Sequence, residues 1–263
     1  MRIEVRNGSF GYRGRLLYDH FDLAVRENKV LTILGPNGVG KTTLLKCIMG
    51  FLPWRTGGTY LNGRELSTCR HRDVWTHISY VPQAKQSPFA FSVLDTVVMG
   101  LNAEKRLFSS PVKEDYERAQ ATLDWLDLGS IAHCSCNRIS GGQLQMVLIA
   151  RALVSEPEVL ILDEPESNLD MCNQLRVLSA IQRIAERGTT TCVINTHFPD
   201  HALMISDDTL FLGEGGVREF GSTSEVITEE NIERFYRVRA RVVSVDLDSD
   251  IAHTVFPYRL AYA

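Results

Sequence analysis

The sequence has no apolar run near the ~20 residues that a membrane-spanning helix requires, and no stretch of it is predicted to cross a bilayer. It also lacks a surplus of positive charge. With 28 Lys and Arg against 32 Asp and Glu, the formal net charge is -4, which speaks against a protein held on nucleic acid chiefly through phosphate contacts. The six cysteines are scattered, with neither a C-x-x-C pair nor zinc-like spacing, so reduced thiols are expected. His133, Cys134 and Cys136 lack a partner pair elsewhere and are assigned no metal. No low-complexity segment or internal repeat is present, which excludes a repeat array. The opening Met1–Arg6 alternates like a strand instead of forming a signal-peptide core, so a cytosolic location is expected. What remains is an ordinary globular composition of 263 residues, 44% of them apolar. That suffices for one large domain or two small ones.

Against that background one stretch stands out. The apolar run Leu31–Leu34 leads into Gly35-Pro36-Asn37-Gly38-Val39-Gly40-Lys41-Thr42-Thr43, spaced as G-x-x-x-x-G-K-[ST], and an apolar helical segment, Leu44 to Met49, follows. This is the strand, loop and helix context of a phosphate-binding loop. Gly35, Gly38 and Gly40 let backbone N–H groups and the positive end of the helix approach an anion. Lys41 supplies charge for the terminal phosphates, and Thr42 offers a hydroxyl to Mg2+. The predicted ligand is a nucleoside triphosphate held by Gly35, Asn37, Gly38, Gly40, Lys41, Thr42 and Thr43.

Residues 2–26 read as short strands punctuated by Gly8, Gly11 and Gly14. Tyr12 in this region has two readings, half-buried packing and stacking on a base. Gly57 to Gly63 has a strand pattern closed by Asn-Gly, a hairpin signal. Ile78–Val81 is a buried-strand candidate ending at Pro82-Gln83. From Ser92 the pattern turns helical, with Val93 to Leu101 and Glu114 to Leu126 each amphipathic, so an inserted helical subdomain is expected over about 84–157.

That subdomain leads to Ser140-Gly141-Gly142-Gln143 at the start of an apolar helix. Ser140 and Gln143 form a capping box, whereas two glycines in a first turn cost helix stability, roughly 0.5–1 kcal/mol each against alanine. A helix tip stripped of side chains is predicted to be a second anion site. The continuous run Val159–Leu162 then ends in Asp163-Glu164. Adjacent carboxylates at a buried strand's end are costly unless a cation or ligand uses them. Asp163 suits the Mg2+ shell, and Glu164 suits a general base that polarises an attacking water. A helix over Met171–Arg187, the strand Thr190–Asn195 and then His197 follow. Gly35, Gln83, Asp163 and His197 each come directly after a predicted strand, and in open parallel sheets ligands bind at that edge. The tail reads as a closing hairpin over 207–220, a helix over 227–236 and a basic-apolar edge strand over 237–245.

Together these motifs resemble the nucleotide-binding subunits of ABC transporters over nearly the whole chain. The resemblance implies an α/β P-loop NTPase of ABC type, with a mostly parallel core sheet, an antiparallel β subdomain and an inserted helical subdomain. It implies an ATPase domain over 1–236 and a short C-terminal extension over 237–263. By the same resemblance two copies pack head to tail, so that Ser140, Gly141, Gly142 and Gln143 of one grip the ATP held by the other. Tyr12 would stack on adenine, Thr42, Gln83 and Asp163 would serve Mg2+, and Glu164 with His197 would be catalytic, His197 at the γ-phosphate. Asp170 of Ser167-Asn168-Leu169-Asp170 would communicate across the homodimer.

Pro88 to Gly100, Thr196 to Ala202 and Thr228 to Ile232 are similar to segments of importers for ferric siderophores, haem, cobalamin and molybdate or tungstate. Expected partners are therefore two transmembrane permease subunits and, indirectly, a solute-binding protein, at the cytoplasmic face of the cell membrane. Nucleic acid is not an expected partner. The alternative is a soluble ABC ATPase acting on nucleic acid or ribosomes without transport; such proteins usually add a long coiled coil or a second ATPase domain. Ile139, Glu166 and Leu101 depart from the residues usual in the family.

Overall fold

In the computed structural model, which describes residues 2–12, 14–84, 90–103, 110–247 and 250–261, the alternating apolar residues of the opening segment form an antiparallel hairpin. Strand β1 (Ile3–Tyr12) pairs with β2 (Arg15–Val25) so that Ile3 faces Val25 and Val5 faces Leu23, all four buried. After a turn at Glu27-Asn28, β3 (Val30–Leu34) is buried at all five positions, as a continuous apolar run requires when a strand is covered on both faces. Helix α1 (Lys41–Ile48) follows the glycine loop. Strand β4 (Thr56–Leu61) joins the other side of β1, and β5 (Arg64–Glu65) folds back on it. Between them Asn62 and Gly63 have φ of 48° and 79°, the paired positive values that an Asn-Gly hairpin turn uses.

The chain divides into two compact units, Met1–Cys69 with Thr191–Ala263, and Arg70–Thr190. The second comprises α2 (His71–Trp75), β6 (Ile78–Val81), α3 (Val93–Val98), α4 (Lys113–Trp125), α5 (Gly141–Leu153), β7 (Val159–Asp163) and α6 (Met171–Glu186). Ser92 caps α3 by accepting the Asp95 N–H at 3.0 Å, which fixes where that helix begins. Val97, Ala119, Leu123, Val147 and Ala150 are buried where α3, α4 and α5 meet. Strands β6 and β7 are parallel neighbours with Val81 opposite Leu162, so Gln83 and Asp163 emerge at one edge. Pro88 and Phe89, at the start of the importer-like segment, lie outside the described residues.

On returning to the first unit the chain forms β8 (Thr191–Asn195), α7 (Pro199–Ile205), β9 (Asp208–Leu212), β10 (Arg218–Ser222), α8 (Thr223–Val226) and α9 (Glu229–Tyr236). Strands β8 and β9 flank β3 in parallel, and β10 runs antiparallel to β9. Asn195 stands opposite Ile33, which brings the residues after β8 level with the phosphate loop. The tail is more ordered than its sequence pattern predicts: β11 (Val238–Leu247) pairs with β12 (Asp250–Leu260). The sequence pattern does not single out β12, most of whose residues between 251 and 260 are exposed. Ala240 and Val255 of this hairpin join Leu34, Phe211, Ile232 and Phe235 in one apolar cluster.

Candidate nucleotide-hydrolysis site

In the first unit the loop between β3 and α1 is shaped by glycines that no other residue replaces. Gly35 has φ of 146° and Gly40 of 114°, values that side chains resist. A Cβ on Gly35 would fall 2.1 Å from the Leu212 carbonyl oxygen, and one on Gly40 would fall 2.5 Å from the Tyr18 hydroxyl. Tyr18 fixes the loop's far end by donating to the Gly40 carbonyl at 2.7 Å; burial pushes its phenol pKa well above the usual value. Gly40 leaves the first turn of α1 without a capping side chain, so its N–H groups and the helix dipole face the loop interior.

Lys41 is only 5% exposed. Its ammonium donates to the Gly35 and Pro36 carbonyls at 2.7 and 3.0 Å, and lies 3.1 Å from His197 Nδ1. Thus a side chain from the head of α1 and one from the loop after β8 meet within hydrogen-bond reach. Asn195 Nδ2 lies 3.5 Å from the Thr42 hydroxyl. Glycine-lined amides, a buried ammonium and a hydroxyl fit a triphosphate and its Mg2+, a cation that favours oxygen ligands. Tyr12 packs edge-on against Phe10, with ring centroids 5.1 Å apart, while remaining 51% exposed.

The second unit carries the carboxylates. Asp163 ends β7 with 8% exposure and accepts a hydrogen bond from the Tyr80 hydroxyl at 3.2 Å. Burial, reinforced by the Asp163 charge, raises the Tyr80 pKa, so the phenol stays protonated as a donor. Glu164 has φ of 51°, a left-handed conformation that costs a non-glycine residue about 1–3 kcal/mol and clusters at working sites. Ser167 donates to its carboxylate at 3.2 Å. Ala84, directly after Gln83, donates its N–H to Gln145 of α5 at 2.8 Å.

The predicted capping box forms at the head of α5. Ser140 accepts the Gln143 N–H at 3.2 Å, and Gln143 Oε1 accepts the Ser140 N–H at 2.9 Å. The two glycines between them differ. A Cβ on Gly141 would meet nothing within 4 Å, whereas one on Gly142 would lie 2.3 Å from Asn173 Cγ. Asp170 caps α6 by accepting from the Asn173 N–H at 2.9 Å and from its Nδ2 at 2.8 Å. Among the described residues no cluster of three His, Cys, Asp or Glu is placed to hold a metal ion. Sequence reasoning missed Tyr18, Tyr80, Asn173, Asn195 and Tyr236. Only Tyr80 carried a signal, as an aromatic three residues before Gln83.

The loop, the ordered strands and the carboxylate-ended β7 define a P-loop ATPase of ABC type. The chain belongs to the ABC transporter family, whose family model matches residues 18–167. It is accordingly an ATPase whose turnover is coupled to transport. An ABC transporter ATP-binding protein of Haemophilus influenzae is 34% identical, with 95% of each chain covered. The molybdate import ATP-binding protein MolC of the same organism is 35% identical over 90% of this chain and 88% of its own. A solved metal-chelate type ABC transporter in an inward-facing conformation aligns with a TM-score of 0.86 and 32% identity, covering 97% of this chain and 96% of its own.

Proposed function

We propose that this chain is the ATP-hydrolysing subunit of an importer for a metal chelate or a metal oxyanion. The similarity to MolC and to the metal-chelate type transporter supports that substrate class. In this reading two copies form a head-to-tail homodimer beneath two transmembrane permease subunits, at the cytoplasmic face of the membrane and fed by a solute-binding protein. Among the described residues no helix is long and apolar enough to span a bilayer. In the proposed assembly the permeases hold the chain at the membrane. The division into an ATPase domain over 1–236, with its helical insertion over 84–157, and an extension over 237–263 belongs to the same proposal.

The observation that carries the hydrolytic part is the buried Lys41 ammonium beside His197 Nδ1 at 3.1 Å. Lys41 binds the β- and γ-phosphates, with the backbone of Gly35, Asn37, Gly38, Gly40, Thr42 and Thr43 around them, while His197 contacts the γ-phosphate. Tyr12 stacks on adenine. Glu164 accepts a proton from the attacking water. Thr42, Gln83 and Asp163 would hold Mg2+, which neutralises charge on the transferring phosphoryl group. Ser140, Gly141, Gly142 and Gln143 of the partner copy donate to the γ-phosphate from the opposite side, and Asp170 relays closure between the copies. ATP closes the dimer because the closed form binds it more tightly, and hydrolysis releases that difference.

Two experiments test this. Glu164→Gln is expected to keep ATP affinity while hydrolysis drops about 10²–10⁴-fold, the usual worth of a general base; wild-type turnover in that variant would remove Glu164 from the role. The transport reading is checked by co-purifying the permease and measuring ATPase stimulation with binding proteins loaded with molybdate, a ferric chelate or neither. Equal rates in all three would reject both substrate classes.

A further inference from the structure

The last residue of α9 reaches the nucleotide loop. Tyr236 accepts the Gly35 N–H on its phenol oxygen at 3.1 Å, and its hydroxyl points to the His197 carbonyl oxygen at 3.5 Å. We propose that Tyr236 is a positioning residue for ATP hydrolysis, setting the backbone of His197 against the first glycine of the phosphate loop. The proposal rests on His197 contacting the γ-phosphate.

Two further contacts close a ring. Lys41 Nζ donates to the Gly35 carbonyl at 2.7 Å and stands 3.1 Å from His197 Nδ1. Gly35, Tyr236, His197 and Lys41 are therefore joined in a cycle in which each is tied to two others. Removing the phenol oxygen deletes the link in this cycle that sets the His197 carbonyl against the Gly35 N–H. Chemistry of this kind is sensitive to displacements near 1 Å.

The phenol is suited to this work. Burial pushes its pKa well above the usual range, so it remains protonated and both accepts and donates at neutral pH. Its ring is held edge-on against Phe211, with centroids 5.9 Å apart and planes at 79°, and the adjacent Phe235 stacks on Phe211 at 4.9 Å. Arg237 then turns the chain out of the helix with φ of 58°. The terminal hairpin steadies α9 from outside, through Arg241 donating to Glu229 at 2.9 Å and through Ala240 and Val255 in the cluster around Phe235. A tyrosine serving only to fill the core would need neither partner, since phenylalanine makes the same ring contacts.

Tyr236→Phe tests this, because it keeps the ring and deletes only the oxygen. In single-turnover assays with full-length protein in excess over radiolabelled ATP, its hydrolysis rate is expected to fall about 3- to 10-fold, the scale of one lost hydrogen bond. ATP affinity is expected to stay within twofold. In a His197→Ala background the same change is expected to have no effect. Phe235→Leu, which loosens the packing without touching the phenol, is expected to lower the melting temperature and leave the rate within twofold. A silent Tyr236→Phe, a loss confined to ATP affinity, or an equal loss in both backgrounds overturns the positioning role. An equal rate loss in Phe235→Leu does so too. Wild-type hydrolysis by His197→Ala alone would instead overturn the reading of His197, and Tyr236 with it.

Discussion

Lys41 is a cation that burial alone would penalise, and two carbonyls of its own loop accept hydrogen bonds from its ammonium at 2.7 and 3.0 Å. Replacing those acceptors by phosphate oxygens changes the strength of the bonds more than their number. Charge-assisted hydrogen bonds are worth about 1.5–3 kcal/mol, so Lys41→Ala is expected to weaken ATP binding about 10- to 150-fold by calorimetry. An unchanged affinity would mean that the glycine amides alone hold the phosphates. Away from the site, Asp207 makes a sharper statement about pH. Burial works against its carboxylate, but the Lys29 ammonium at 2.8 Å, the Val30 N–H and the Arg26 charge outweigh it and hold the pKa below its ordinary 3.8. A depressed pKa means that the folded form binds protons less readily than the unfolded chain. The stabilisation is therefore complete above about pH 4 and is lost as pH falls through the lowered folded value. Asp207→Asn should melt below wild type at pH 7, and the gap should close in acid. A gap that persists at pH 2 would assign the loss to packing.

At the scale of elements, the head of α5 separates two roles that the sequence presents as one. The Gly-Gly pair reads as a helix tip bared for a ligand, yet Gly142 also has a local cause, since Asn173 of α6 occupies the space a Cβ would take. Gly141 has none. Gly141→Ala is thus expected to fold normally, and to gain up to about 0.5–1 kcal/mol of helix stability, while losing ATP hydrolysis if a phosphate must approach that backbone. Gly142→Ala is expected to lower the melting temperature as well. Retained hydrolysis in a stable Gly141→Ala protein would reduce the tip to a simple cap. The contrast shows what was legible in the sequence. Elements whose residues act on neighbours in the chain were plain: the Ser140 and Gln143 box, the Asn62-Gly63 turn, and the glycine loop before α1. Contacts made by folding were not. Nothing near Gly142 points to Asn173, nor does anything near Gly35 point to Tyr236, 201 residues away. Strand β12 was hidden for a related reason, because its burial is limited to the few side chains that reach the core and its alternation is correspondingly weak.

At the scale of the whole molecule, the proposed homodimer makes a prediction that no single-chain mechanism shares. In a two-fold pair whose sites are each built from both copies, a defective loop and a defective helix tip are complementary when they sit on different chains. Lys41→Ala subunits lack the loop but keep Ser140; Ser140→Arg subunits block the tip but keep Lys41. Each alone should hydrolyse ATP poorly, as should a chain carrying both changes. Mixed in equal amounts, half of the dimers are hybrids, and each hybrid contains one site with an intact loop facing an intact tip. The mixture should therefore recover about a quarter of the wild-type sites under single-turnover conditions. Differently tagged subunits co-purified in ATP establish that hybrids have formed. If hybrids form and hydrolysis stays at the sum of the separate variants, the loop and the tip do not meet across the dimer. The apposition of two phosphate-gripping surfaces would then have to be abandoned, even though each surface is correctly built within its own chain.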